Sequence, residues 1–178
     1  GLDCHSSEEF HNQISKPLKS KIMEQTNALS NLYQVAEIEL IYKSKVKASQ
    51  RPQISSSSEA HNIFLQVWEE GKIDFVEQFK VLLLNRANKV IGVVNVSTGG
   101  VTGTVADPKL IFTAVLKANS CALIVSHNHP SGNLKPSRAD EQLTQKIKQA
   151  GEFLDIKLLD HLIISSEGFY SFADEGLL

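Results

Sequence analysis

"CALIVSHNHPSGNLKPSRADEQLTQKIKQAG", Cys121 to Gly151, decides the fold. The opening run, Cys121 to Ser126, is short, apolar and bounded by turn signals, as a strand buried on both faces should be. From Ser137 the chain changes to an amphipathic helix that Gly151 is expected to stop. Pro130, Gly132 and Pro136 supply the turns between the two. A buried strand handing over directly to a helix is the repeating step of a layered α/β domain.

The neighbouring segments extend that pattern. "DPKLIFTAVLKAN" (Asp107–Asn119) reads as a helix with Asp107 as N-cap and Pro108 at its first position. "FKVLLLN" (Phe79–Asn85) and "KVIGVVNVS" (Lys89–Ser97) are β-rich runs joined by a short polar turn, which predicts an antiparallel hairpin. Ser56 and Glu59 have capping-box spacing ahead of Ala60, Ile63, Phe64, Val67 and Trp68, and Gly71 is the expected end of that helix. "IKLLDHLIIS" and "GFYSF" supply closing strands, with Asp160 and His161 taken at the start of the first. Upstream, "VAEIELIYKSKVK" (Val35–Lys47) alternates with period two and predicts a half-exposed strand. An exposed edge there offers a route to a homodimer. Residues 1–32 form a polar arm with a helix expected around Leu18–Leu32, leaving 33–178 as the domain. The expected architecture is α/β, a mixed sheet flanked by helices.

Composition narrows the class. The chain has 178 residues, 42% hydrophobic and 21% charged, enough for a sizeable core. A net charge of −2 argues against binding a polyanion through bulk positive charge. The two cysteines, Cys4 and Cys121, are too few for a disulfide scaffold and suit a reducing, cytoplasmic setting. No apolar run approaches the ~20 residues of a membrane helix. "STGGVTGT" lacks the Lys-Ser/Thr ending of a phosphate loop and is read as backbone turning.

The chemistry gathers where strand meets helix. Ser137 and Asp140 have capping-box spacing and need do no more than start a helix. His127 and His129 leave the carboxyl end of the buried strand, where open α/β sheets place their ligands. Two residues apart in extended chain, they project to one side, and Asp140 can return an oxygen from the next helix. Two imidazoles and a carboxylate suit Zn²⁺ with a fourth position for water. Such a water needs a base, and Glu77, just before the strand "FKVLLL", is the candidate; otherwise it is a solvated strand-start glutamate.

"HNHPSGNLKPSRAD" resembles the JAB/MPN metalloprotease motif, a glutamate followed by His-x-His-x7-Ser-x-x-Asp. With "GEFLDIKLLDHLIIS" the likeness is to the RadC branch, over about residues 33–178. The resemblance implies a fold related to that of cytidine deaminases, although the deaminase signature His-x-Glu…Pro-Cys-x-x-Cys is missing. It also implies zinc held by His127, His129 and Asp140, Glu77 as general acid/base, and Ser137 donating to the oxyanion. The implied reaction is hydrolysis of a peptide or isopeptide bond. RadC proteins usually carry a helix-hairpin-helix-like region for which residues 1–32 are too short, so a short form or a fragment is expected. The family name also points to DNA repair, which leaves open a nucleic-acid-associated module in repair or mobile-element biology with a structural or vestigial metal; a catalytically dead scaffold is the third alternative.

Around the site, Ser126, Asn128, Asp160 and His161 are candidates for holding ligands or water in place. The plainer alternative makes Asp160 a turn carboxylate and His161 a packed imidazole. Lys43, Lys45, Lys47 and Arg51 either guide a nucleic acid or form a solvated face.

Overall fold

The computed structural model describes residues 46–99 and 106–178. The expected helix at 18–32, the 32/33 boundary, Lys43, Lys45 and all but the last two residues of the 35–47 strand lie outside them, as do residues 100–104 of the glycine-rich stretch. Val46 and Lys47 are exposed and precede a 3₁₀ turn, Ala48–Gln50.

Five strands and three helices follow among the described residues. They are α1 (Ser57–Val67), β1 (Gln78–Leu84), β2 (Val90–Thr98), α2 (Pro108–Lys117), β3 (Ala122–Asn128), α3 (Arg138–Phe153), β4 (Lys157–Ile164) and β5 (Phe169–Ser171). The strands form one mixed sheet in the order β2-β1-β3-β4-β5. β1 is antiparallel to β2 and β3, β3 and β4 run parallel across the α3 crossover, and β5 returns antiparallel. No helix among the described residues is long and apolar enough to cross a membrane.

β1 and β3 are buried along their whole length, which is why their sequences show no alternation. Phe79, Val81, Leu83, Leu123 and Val125 face Ile111, Phe112 and Val115 of α2 and Ile147 of α3. Leu82, Leu84, Ile124, Leu162 and Ile164 face Ala60 and Phe64 of α1, with Trp68 just beyond it. The hairpin turn is built as expected: the Asn85 side chain accepts from Ala87 and Lys89 N–H, and Asn88 takes a φ of 54°.

Two glycines do not do what their positions suggest. α1 ends at Val67, because Trp68 turns extended and buries its ring edge-on to Phe64; Gly71, at φ 75°, belongs to the turn that follows. α3 runs through Gly151 to Phe153, and Asp155, at φ 56°, reverses the chain. Gly151 is instead a point of close approach, where a Cβ would collide with the Ile156 carbonyl.

Candidate metal centre

β3 is longer than "CALIVS" because its pairing with β4 continues through His127↔Ile163 and Asn128↔Ile164. His129 extends the ladder by one further bond, its N–H donating to Ile164 O at 2.9 Å. His127 and His129 therefore stand on one face of continuous extended chain. The 130–137 segment then turns back, with Gly132 at φ 77°, and delivers the start of α3 onto that face. The capping box is complete: Ser137 Oγ accepts from Asp140 N–H at 3.2 Å, and Asp140 Oδ2 accepts from Ser137 N–H at 2.7 Å.

Both readings of this stretch hold together. His127 Nε2 and His129 Nε2 are 3.0 Å apart, Asp140 Oδ1 is 3.2 Å from the first and Asp140 Oδ2 3.9 Å from the second. One ligand atom from each residue lies within 4.8 Å of the others. Donors bound at about 2.0–2.1 Å in a tetrahedron stand roughly 3.3 Å apart, so the trio has the scale of a metal site. The donor chemistry agrees. Asn133 O, 2.5 Å from His129 Nδ1, can only accept, so Nδ1 of His129 carries a proton and the neutral ring turns the lone pair of Nε2 toward the trio. The three residues can hold a metal ion.

Electrostatics favour a charged carboxylate here. Burial pushes Asp140 up, but the His127 hydrogen bond and charge, with the Ser137 side-chain and backbone bonds, hold it well below the usual carboxylate range.

His161 supports this centre. Its Nε2 is 2.8 Å from His127 Nδ1 and its Nδ1 is 2.6 Å from Thr144 Oγ1, which also lies 2.6 Å from Asp140 O. The ring is fully buried between Phe172 and Phe79, and that burial, above all, drives its pKa far down, so it is neutral. It stands in mid-strand, not at a strand start. Thr144 was not among the sequence candidates; its only signal is its place four residues after Asp140 on one helix face.

The other three supporting candidates point elsewhere, because side chains alternate along a strand. Asn128 accepts from Gln78 N–H and donates to Ile73 O and Val76 O, so it pins the segment ahead of β1 instead of meeting a water. Ser126 is buried on that same reverse face with no hydrogen-bond partner among the described residues. Asp160 binds Ser171 Oγ and the N–H groups of His161 and Ala173, tying β4 to the chain after β5. Of the basic cluster, Lys47 is exposed and Arg51 half-buried.

Glu77 stands outside the trio, half-buried, one residue before β1. Its carbonyl accepts from Gly99 N–H, so β2 still pairs with the chain there. Phe79 sits opposite His127 and stacks on its ring, and alternation gives Glu77 the same face as Phe79. Beside Asp140, a cleft of about 500 Å³ opens between the starts of α2 and α3, lined by Pro108, Ala139, Gln142, Leu143 and Lys146.

Comparison with known proteins agrees with this geometry. A UPF0758 protein of Flavobacterium johnsoniae is 49% identical over 124 residues, covering 70% of this chain and 53% of its own length. One from Porphyromonas gingivalis is 48% identical over 103 residues, covering 57% of this chain and 45% of its own. The chain spans about half the length of these curated relatives. The sequence model described as the RadC-like JAB domain matches residues 54–177, which takes in every strand, every helix and the whole His-His-Asp trio described above. The chain therefore belongs to the RadC-like JAB domain family.

Proposed function

We propose that the chain is a zinc-dependent hydrolase of amide bonds, acting on a peptide or isopeptide. The observation that carries this is the convergence of two imidazole nitrogens 3.0 Å apart with a carboxylate oxygen 3.2 Å from the first. A lone pair on His129 Nε2, facing His127 Nε2 and Asp140, gives a cation a donor at this point. Nitrogen-rich ligation with a single carboxylate suits Zn²⁺ better than Ca²⁺ or Mg²⁺, which take oxygen.

His127, His129 and Asp140 would hold the ion. When bound, Zn²⁺ supplies Lewis acidity, lowering the pKa of a water to about 7 and polarising a carbonyl. Glu77 takes the proton of the attacking water and returns it to the leaving amine. Ser137 is suited to the oxyanion: its oxygen already accepts from Asp140 N–H, so its own proton remains to be donated. The cleft beside Asp140 is the natural seat for the substrate chain. The net charge of −2 favours a peptide over a polyanion, and the free thiol of Cys121 supports a cytoplasmic setting.

The test is metal analysis of the chain after chelation and reloading, paired with cleavage of isopeptide-linked and linear peptide libraries. One equivalent of zinc is expected, lost in Asp140→Ala and kept in Glu77→Gln, with turnover lost in both. Failure of the unaltered chain to retain zinc would overturn the proposal.

A further inference from the structure

The chain of contacts behind His127 has a direction. A backbone carbonyl has no proton, so the 2.6 Å contact between Thr144 Oγ1 and Asp140 O places the single hydroxyl proton of Thr144 on that carbonyl. Thr144 Oγ1 then has only lone pairs left for His161 Nδ1, 2.6 Å away, which must carry the N–H. His161 is fully buried between Phe79 and Phe172, where a second proton would be a charge without water, so the ring carries one proton and Nε2 is bare. At 2.8 Å it can only accept, and the shared proton belongs to Nδ1 of His127.

We infer that Thr144 and His161 are positioning residues that set the tautomer of His127, keeping its proton on Nδ1 and leaving Nε2 to the cation. This rests on the reading of His127 as a metal ligand. The relay begins and ends on the ligand set: it starts at the main chain of Asp140 and finishes at the ring that Asp140 faces. His129 receives the same instruction separately, from the Asn133 carbonyl. Nδ1 of each ring thus keeps its proton, so the proton that His127 Nε2 shares with Asp140 is the one a cation replaces. Simple packing of His161 between Phe79 and Phe172 would leave the proton's location open; the hydroxyl of Thr144 decides it.

The experiment uses the full chain with ¹⁵N-labelled histidine, metal-free and zinc-loaded, in a long-range proton–nitrogen correlation spectrum. The expected result is a protonated Nδ1 on both His127 and His161 and a bare Nε2 on His161. Thr144→Val keeps the side-chain shape but removes the hydroxyl. It is expected to scramble the His161 tautomer and weaken zinc binding by about 10–100-fold, with both restored in Thr144→Ser. A protonated Nε2 on His161 in the unaltered chain would overturn the inference. So would a Thr144→Val chain with unchanged spectrum and affinity. If the unaltered chain binds no zinc, the hydrolase reading falls, while the metal-free spectrum still decides the relay.

Discussion

Ser137 has one oxygen and, under the proposed function, two uses for it. Its lone pair starts α3, and its proton would serve the substrate. The two can be separated, because glycine is a tolerable N-cap, costing only a few tenths of a kcal/mol against serine, whereas alanine costs about 1. Ser137→Gly is therefore expected to unfold at nearly the same denaturant concentration as the parent chain, yet to lose about 10²–10³ in turnover, as removal of an oxyanion donor does. Unchanged turnover would confine Ser137 to its cap. At this scale the convergence of the candidate ligands was legible, because His127, His129 and Asp140 are unusual residue types at a strand-to-helix junction. What was not legible was which way polar residues point in a strand covered on both sides. "SHNH" has no apolar alternation to mark its faces, and Ser126 and Asn128 fell on the side away from the candidate ligands His127 and His129.

Elements test the packing that holds those residues. Gly151 lies in the last turns of α3, buried, with the Ile156 carbonyl where a Cβ would go. Helix propensity alone favours alanine over glycine by up to ~1 kcal/mol, and overpacking costs about 1–3. The obstacle is backbone, which cannot swing aside as a side chain would, so Gly151→Ala is expected to destabilise the domain by about 1–2 kcal/mol in denaturant unfolding. A gain in stability would show that the helix end can shift away from β4. The glycine pattern misled the sequence reading here: a C-cap and a close approach call for the same residue, and only the position of the Ile156 carbonyl separates them.

The α1–β5 contact gives a pH dependence. His61 stacks on Phe169 with ring centroids 4.4 Å apart, and its Nε2 has no hydrogen-bond partner among the described residues. Burial lowers its pKa below 6.5. Above that value both folded and unfolded chains hold the ring neutral and nothing changes. As pH falls through about 6.5 the unfolded chain takes the proton first, so stability drops until the folded pKa is passed. His61→Phe keeps the stacking and removes the titration. Between pH 7.5 and 5 the parent is expected to lose more stability than this variant; parallel curves would mean that the ring is hydrated in the folded chain.

Across the whole molecule, the proposed ligands come from the end of β3 and the start of α3, and only the folded chain brings them together. An ion bound to the folded state alone adds RT ln(1 + [L]/Kd), about 2.7 kcal/mol at a hundredfold excess over Kd. For a chain of 178 residues, with about 2–4 °C per kcal/mol, the melting temperature is expected to rise by roughly 5–11 °C when the chelated protein is reloaded with zinc. Calcium at the same concentration is expected to do little, because two of the three donors are nitrogen. Asp140→Ala complicates the comparison, since it also removes one arm of the capping box. Its melting point must first be read in chelator, where the loss of the cap shows alone, and then with zinc, where the remaining rise should vanish. A zinc-dependent shift of equal size in parent and variant would place the ion elsewhere on the chain; no shift in either would leave the two histidines as partners of a proton and not of a metal.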